Sequence, residues 1–162
     1  MRETIFSPER KYRFTLWREW DIYQGYVNFL CLNPSTADET QDDPTIRRCI
    51  RFAKDWGYPA VCITNIFAYR ATDPLEMKKQ ADPVGGDNIG HLVRIGSQAD
   101  MVVAAWGTHG VFRNQDINVR QAFHTAGINL HCLGLTKDGH PKHPLYLRAD
   151  TKPQEFGISS RK

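Results

Sequence analysis

The chain has no apolar stretch approaching the roughly 18 residues that a membrane span needs. Its first residues, MRETIFSPERKYRF, mix charge with aromatics and lack the apolar segment of a secretory signal. These two absences set the expectation of a cytoplasmic protein with no membrane association. Charge of one sign is also scarce. With 21 Lys+Arg against 18 Asp+Glu the net charge is +3, too small a surplus to point to nucleic acid by itself. The four cysteines, Cys31, Cys49, Cys62 and Cys132, contain no C-x-x-C pair. A disulfide framework and a zinc knuckle therefore lack their usual signature, and buried thiols are expected instead. Missing too are the Walker A, G-x-G-x-x-G, H-E-x-x-H and G-x-S-x-G motifs. That removes the entry points for P-loop hydrolysis, dinucleotide redox chemistry, zinc peptidases and serine hydrolases. No cofactor is expected.

What is present is an ordinary globular composition: 162 residues, 41% hydrophobic and 11% aromatic, enough for one domain with its own core. Short β-rich runs alternate with helical patterns, as in an α/β domain. Tyr12-Arg13-Phe14-Thr15-Leu16-Trp17 reads as an N-terminal strand or hairpin arm. Residues 26–32 form a nearly continuous apolar run, the pattern of a strand buried on both faces, and stop at Asn33-Pro34. Asp43-Pro44 then reads as a helix start, with Asp as cap and Pro in the first turn. Ile46, Cys49, Ile50, Ala53 and Trp56 keep helical spacing up to Gly57.

A second buried strand is expected over 60–65, helices over 73–80 and 87–98, and a third strand over 101–106. A helix over 114–125 leads to a fourth strand over 129–133. The rest, GLTKDGHPKHPLYL, reads as loop. The expectation is a single domain over 1–162, with a core over about 6–150 and a C-terminal tail over 151–162. Its architecture is three-layer α/β/α with a central four-stranded parallel sheet.

Ligands of such open sheets bind beyond the C-terminal strand ends, and four clusters fall there. After the first strand come Asn33, Pro34, Ser35 and Thr36, where proline stiffens the turn. Asn65 ends the second and offers a donor and an acceptor together, as a nucleobase edge does. Trp106, Gly107 and Thr108 end the third, joining a flat ring to a residue that lets a ligand approach the backbone. His140 and His143 lie in the last loop, where either imidazole could donate to a developing anion. Each cluster is equally compatible with plain turns, caps and core packing. His140 and His143 lie three apart, but Pro141 and Pro144 argue against the helix that would bring them to one metal, so none is expected. Asp38, Asp42 and Asp43 are candidates for a general base, Asp43 being better explained as a helix cap.

The stretches LNPSTAD, DDPTIRRC, TNIFAYRATDP, AAWGTHG and LGLTKDGHPKHPLYL resemble a bacterial and phage family catalogued as domain of unknown function 1643. More distantly, the order of motifs resembles the uracil-DNA glycosylase superfamily. Cys31-Leu32-Asn33-Pro34-Ser35 is similar to that superfamily's Gly-x-Asn-Pro-Gly turn, Thr64-Asn65 to its strand-end Thr-Asn, and His143-Pro144-Leu145 to its His-Pro-Ser. Ser35 stands where that pattern has Gly, Leu145 where it has Ser, and the iron–sulfur cysteines of some branches are absent.

The resemblance implies a glycosylase-like fold and N-glycosidic hydrolysis in DNA or a nucleotide. Asn33 would position the attacking water and His143 would meet the charge on the leaving base. Asn65 would read the base, with Phe67 or Trp106 stacking on it. Ser35, Thr36, Asp38, Arg47, Arg70, Gly107, Thr108 and His140 would line the pocket or hold phosphate, and the partner would be nucleic acid or a nucleotide. The alternative is a non-catalytic nucleic-acid or modified-nucleotide binding module on the same fold.

Overall fold

The apolar runs become the middle of one mixed sheet. A computed structural model of the chain describes residues 2–157. Its strands are β1 (Ile5–Phe6), β2 (Arg13–Glu19), β3 (Val27–Cys31), β4 (Ala60–Asn65), β5 (Met101–Ala104), β6 (His131–Cys132) and β7 (Gln154–Glu155). They lie in the order β1-β2-β4-β3-β5-β6-β7. β4, β3, β5 and β6 pair in parallel. β2 pairs antiparallel with β4, β7 with β6, and β1 with β2.

The expected four-stranded parallel sheet is thus corrected to a seven-stranded mixed one. The aromatic arm at 12–17 joins the main sheet as β2, and the two-residue strands β1 and β7 are too short to show a period. The fourth strand is also shorter than expected, His131–Cys132 in place of 129–133.

Helices α1 (Pro44–Asp55), α2 (Pro74–Lys78), α3 (Asn88–Gln98) and α4 (Gln115–Thr125) connect the strands, with a 3₁₀ segment over Thr108–Asn114 before α4. The two-residue period of the strands divides the core. Val27, Phe29 and Cys31 of β3, with Val61 and Ile63 of β4, pack with Ile46, Cys49, Phe52 and Ala53 of α1. Leu30 of β3 and Val102 and Ala104 of β5 pack with Leu92 of α3 and Val119 and Phe123 of α4. Apolar clusters on both faces explain why these strands read as unbroken runs. All four cysteines are free and buried, and burial pushes the Cys62 thiol up.

α1 starts where the sequence indicates. Asp43 sits in an extended conformation and its Oδ1 accepts from the Ile46 N–H at 2.9 Å, with Pro44 in the first turn. From β3 the chain passes through α1 to β4 on one side, then returns through α2 and α3 to β5 on the other. The C-terminal ends of β3 and β5 therefore flank the point where the winding reverses, the usual crevice of an open α/β sheet. Of the tail, β7 pairs with β6 and Phe156 packs into the α3/α4 side of the core. Residues 158–162 lie outside the described residues.

Candidate functional site

A cleft of about 540 Å³ opens at that crevice, within the usual range for small-molecule sites. Asn33, Asn65 and His143 all line it, together with Ser35, Thr36, Trp106, Gly107 and Thr108. Three separate local structures bring the first three there.

Asn33 follows β3 in a turn braced from outside the strand. Its Nδ2 donates to Ala71 O at 2.8 Å and to Pro34 O at 3.3 Å, and the Ala71 N–H returns a bond to Pro34 O at 2.8 Å. The loop after β4 thus clamps the Asn-Pro turn. No described residue bonds Asn33 Oδ1.

Asn65 is the last residue of β4 and is buried. Its backbone carbonyl accepts from Asn88 Nδ2 at 2.8 Å, at the start of α3. Its Oδ1 accepts from Arg13 Nη2 at 3.3 Å. A guanidinium only donates, so this bond fixes the amide's orientation. Nδ2 is left with no bond to a described residue.

His143 is carried by a loop that folds back on itself. Lys142 N–H donates to Gly134 O at 3.0 Å, and Gly107 N–H donates to Pro141 O at 2.9 Å. The second bond docks the loop on the end of β5. Gly107 has φ 71° and ψ −161°, a combination open essentially to glycine alone. His143 Nδ1 accepts from the Leu145 N–H at 3.2 Å. Nδ1 therefore carries the lone pair and Nε2 the proton of the neutral ring. Burial lowers the imidazole pKa, against an opposing pull from Asp43. His143 is nonetheless exposed by surface area, as a ring at the mouth of a cleft would be: part of it meets solvent while the rest loses water to the walls.

The family model described as "Protein of unknown function (DUF1643)" matches residues 13–145. The chain belongs to this family. No curated protein and no solved structure matches it. The DUF1643 match runs from Arg13 to Leu145, both of which line the cleft, so it contains every residue of the cleft wall.

Five residues expected to line the pocket, stack on a base or hold phosphate do not line this cleft of the DUF1643 chain. Phe67 is fully buried and packs with Met77, Leu92 and Phe112. It follows the β4 end by two residues and turns into the core rather than the cleft. Asp38 closes a turn, its Oδ1 accepting from the N–H groups of Thr40 and Gln41 at 2.9 and 2.8 Å. Arg47 is on the exposed face of α1 and reaches Asp42 O. Arg70 is a clamp between loops, with Nε on Ser35 O and Nη1 on Arg10 O. It lines a neighbouring groove with Arg10 and Lys11. His140 is held within its own turn, its N–H donating to Thr136 Oγ1 at 3.1 Å and its C=O accepting from the Thr136 N–H at 2.8 Å, and it does not line the cleft.

Other residues of the wall were not singled out by the sequence. Arg13 lines the cleft floor from β2 and is 2% exposed. An arginine inside an aromatic strand was its only signal. His109 lines the wall, its Nδ1 2.9 Å from Lys78 Nζ. Beside Leu145, Tyr146 is 99% exposed with φ 67°, an aromatic ring held out into solvent at the rim.

Proposed function

We propose that the cleft recognises a nucleobase and hydrolyses its N-glycosidic bond. The observation that carries this reading is that Asn33, Asn65 and His143, from three distant parts of the chain, line one cavity. In the proposed reaction the carbon–nitrogen bond breaks, its electron pair leaves with the base, and water adds to the sugar carbon while the proton it sheds ends on the departed base anion. Asn33 Oδ1 accepts a hydrogen bond from that water and orients it. The His143 Nε2–H faces the negative charge gathering on the base, a preorganised donor that needs no proton of its own to move. Asn65 Nδ2 donates to an acceptor on the base edge, and Trp106 supplies apolar wall. A base within a strand reaches such a cleft only by leaving its stack.

Beside the cleft, a groove lined by Arg10, Lys11 and Arg70 shares Ser35, Thr36, Ala71 and Thr72 with it. Arg10 is engaged by Glu39 at 2.8 Å through both terminal nitrogens, which leaves Lys11 and Arg70 as the cations nearest a bound phosphate. Contact there makes affinity fall steeply as salt rises.

The test is release of free base from DNA carrying uracil or a panel of modified bases. The wild-type chain releases at least one base, and Asn33→Ala and His143→Ala reduce that release by roughly 10²-fold or more, the usual worth of a positioned donor. A non-catalytic binding module is favoured by one observation: among the described residues Asp43 is the only carboxylate of the cleft wall, and its Oδ1 already caps α1. Salt-sensitive nucleic-acid binding with no base released from any member of the panel would select that second reading.

A further inference from the structure

The floor of the cleft holds a cation that the protein does not neutralise. Arg13 sits in β2 with 2% of its surface exposed, and it lines the cavity. Nη1 donates to Ala37 O at 3.0 Å and Nη2 to Asn65 Oδ1 at 3.3 Å. Both acceptors are neutral. Nε is buried with no partner, and five donors against two bonds leave further N–H groups unused. Among the described residues no carboxylate reaches Arg13 within ion-pair distance. Buried charges in proteins are ordinarily paired, so this one lacks its counter-ion.

The rest of the wall is also rich in donors. Asn65 Nδ2 is unpaired, and the tautomer of His143 turns an Nε2–H outward. His109 accepts at Nδ1 from the Lys78 ammonium, so its own proton is on Nε2. Pro44, Thr45 and Ile46 bring the first turn of α1 to the wall, with the positive end of its dipole. Among the described residues of the wall, Asp43 alone opposes this field.

We propose that the cleft binds its ligand by an anionic oxygen group seated against Arg13, so that the ligand is a small phosphate- or carboxylate-bearing molecule entering charged end first. The phosphates of an intact strand stay outside such a cavity, whereas a mononucleotide or a carboxylated heterocycle can carry its charge to the floor. This rests on the nucleobase reading for the heterocycle and deepens it by naming a free, charged ligand.

The test is calorimetric titration of the full chain, at constant ionic strength, with inorganic phosphate, uridine 5′-monophosphate, orotate and uridine. At least one of the three anions binds saturably, and uridine binds at least roughly tenfold more weakly, because a site built for a charged group rejects the analogue lacking it. Arg13→Met weakens the anion by a similar factor. Arg13→Lys, which keeps the charge but loses the fork, weakens it too and serves if the Met variant does not fold. Preference for the monophosphate over orotate assigns the floor to phosphate, and the reverse assigns it to carboxylate. Absence of saturable anion binding, equal binding of uridine, or unchanged binding by both Arg13 variants overturns the proposal. Base release from DNA and from uridine 5′-monophosphate, measured on the same preparations, separates the two readings. Release without anion binding removes this inference alone, and anion binding without release removes only the hydrolytic one.

Discussion

Arg13 and Asn65 meet in the cleft floor through a single hydrogen bond, Nη2 to Oδ1 at 3.3 Å, and that bond decides which end of the amide faces the ligand. Asn65→Asp should keep the fold, because the new carboxylate faces the Arg13 guanidinium. It also replaces the Nδ2 donor by an acceptor. We expect thermal stability equal to or above wild type, together with a loss of ligand affinity of roughly tenfold or more, since a donor is removed and the cation neutralised at once. Thermal unfolding and titration of the same sample check both halves.

Asn88 holds the end of β4 in place from the start of α3. It is buried and its Nδ2 donates to Asn65 O at 2.8 Å and Ile66 O at 3.3 Å. Gln115 Nε2 also donates to Ile66 O, so Asn65 O is the carbonyl that depends on Asn88 alone among side chains. Asn88→Ala strands that acceptor in the core. The expected loss is about 1–3 kcal/mol, read from the urea midpoint at unchanged slope.

Gly107 ties β5 to the histidine loop in a conformation that a side chain resists. An added Cβ would stand 4.0 Å from His143 Cβ, which is ordinary contact, so the strain comes from the backbone and not from a clash. Gly107→Ala is expected to destabilise by about 1–3 kcal/mol. Any residual fold should show the His143 ring resonances shifted, because relief of the strain moves the docked loop.

His143 carries a pH dependence with a definite sign. Its folded pKa lies below the ordinary 6.5 because burial disfavours the charged ring. Below pH 6.5 the unfolded chain therefore takes up the proton first, and stability falls as pH drops toward the folded value. Protonation also removes the Nδ1 acceptor from the Leu145 N–H. Asp43 opposes the shift, so Asp43→Asn, which keeps a capping oxygen, should lower the His143 pKa further. Nuclear magnetic resonance titration of the ring protons measures both values.

The legible parts of this fold are those where one face or one residue type dominates. Residues 26–32, 60–65 and 101–106 read as buried strands because helices cover both sides of them, and Asp43-Pro44 read as a helix start because the cap chemistry is local. β1 and β7 were not legible, since two residues of pairing leave no periodicity. The 3₁₀ segment at Thr108–Asn114 was missed because Arg113 and Asn114 take positive φ values of 54° and 56°, which arginine does not announce and which asparagine adopts in only some of its turns. Asn33, Asn65 and His143, which line the cleft, were legible because strand ends and a proline-rich loop mark them. Arg13 was not, because alternation in Tyr12–Trp17 suggests one wet face, and the sheet buries both. Phe67 was misplaced for the converse reason: proximity to Asn65 in sequence does not fix which way the chain turns after β4.

The sharpest measurement is a ¹H–¹⁵N spectrum of the side-chain amides during titration with free nucleobases. The Asn65 Nδ2 protons should shift saturably with at least one base, and Asn65→Ala should abolish that binding while Asn88 and Gln115 keep their core resonances. Asn65 amide signals that stay fixed across every base, or that move identically when the cleft residues Asn33 and His143 face no ligand, would contradict a heterocycle bound at the end of β4.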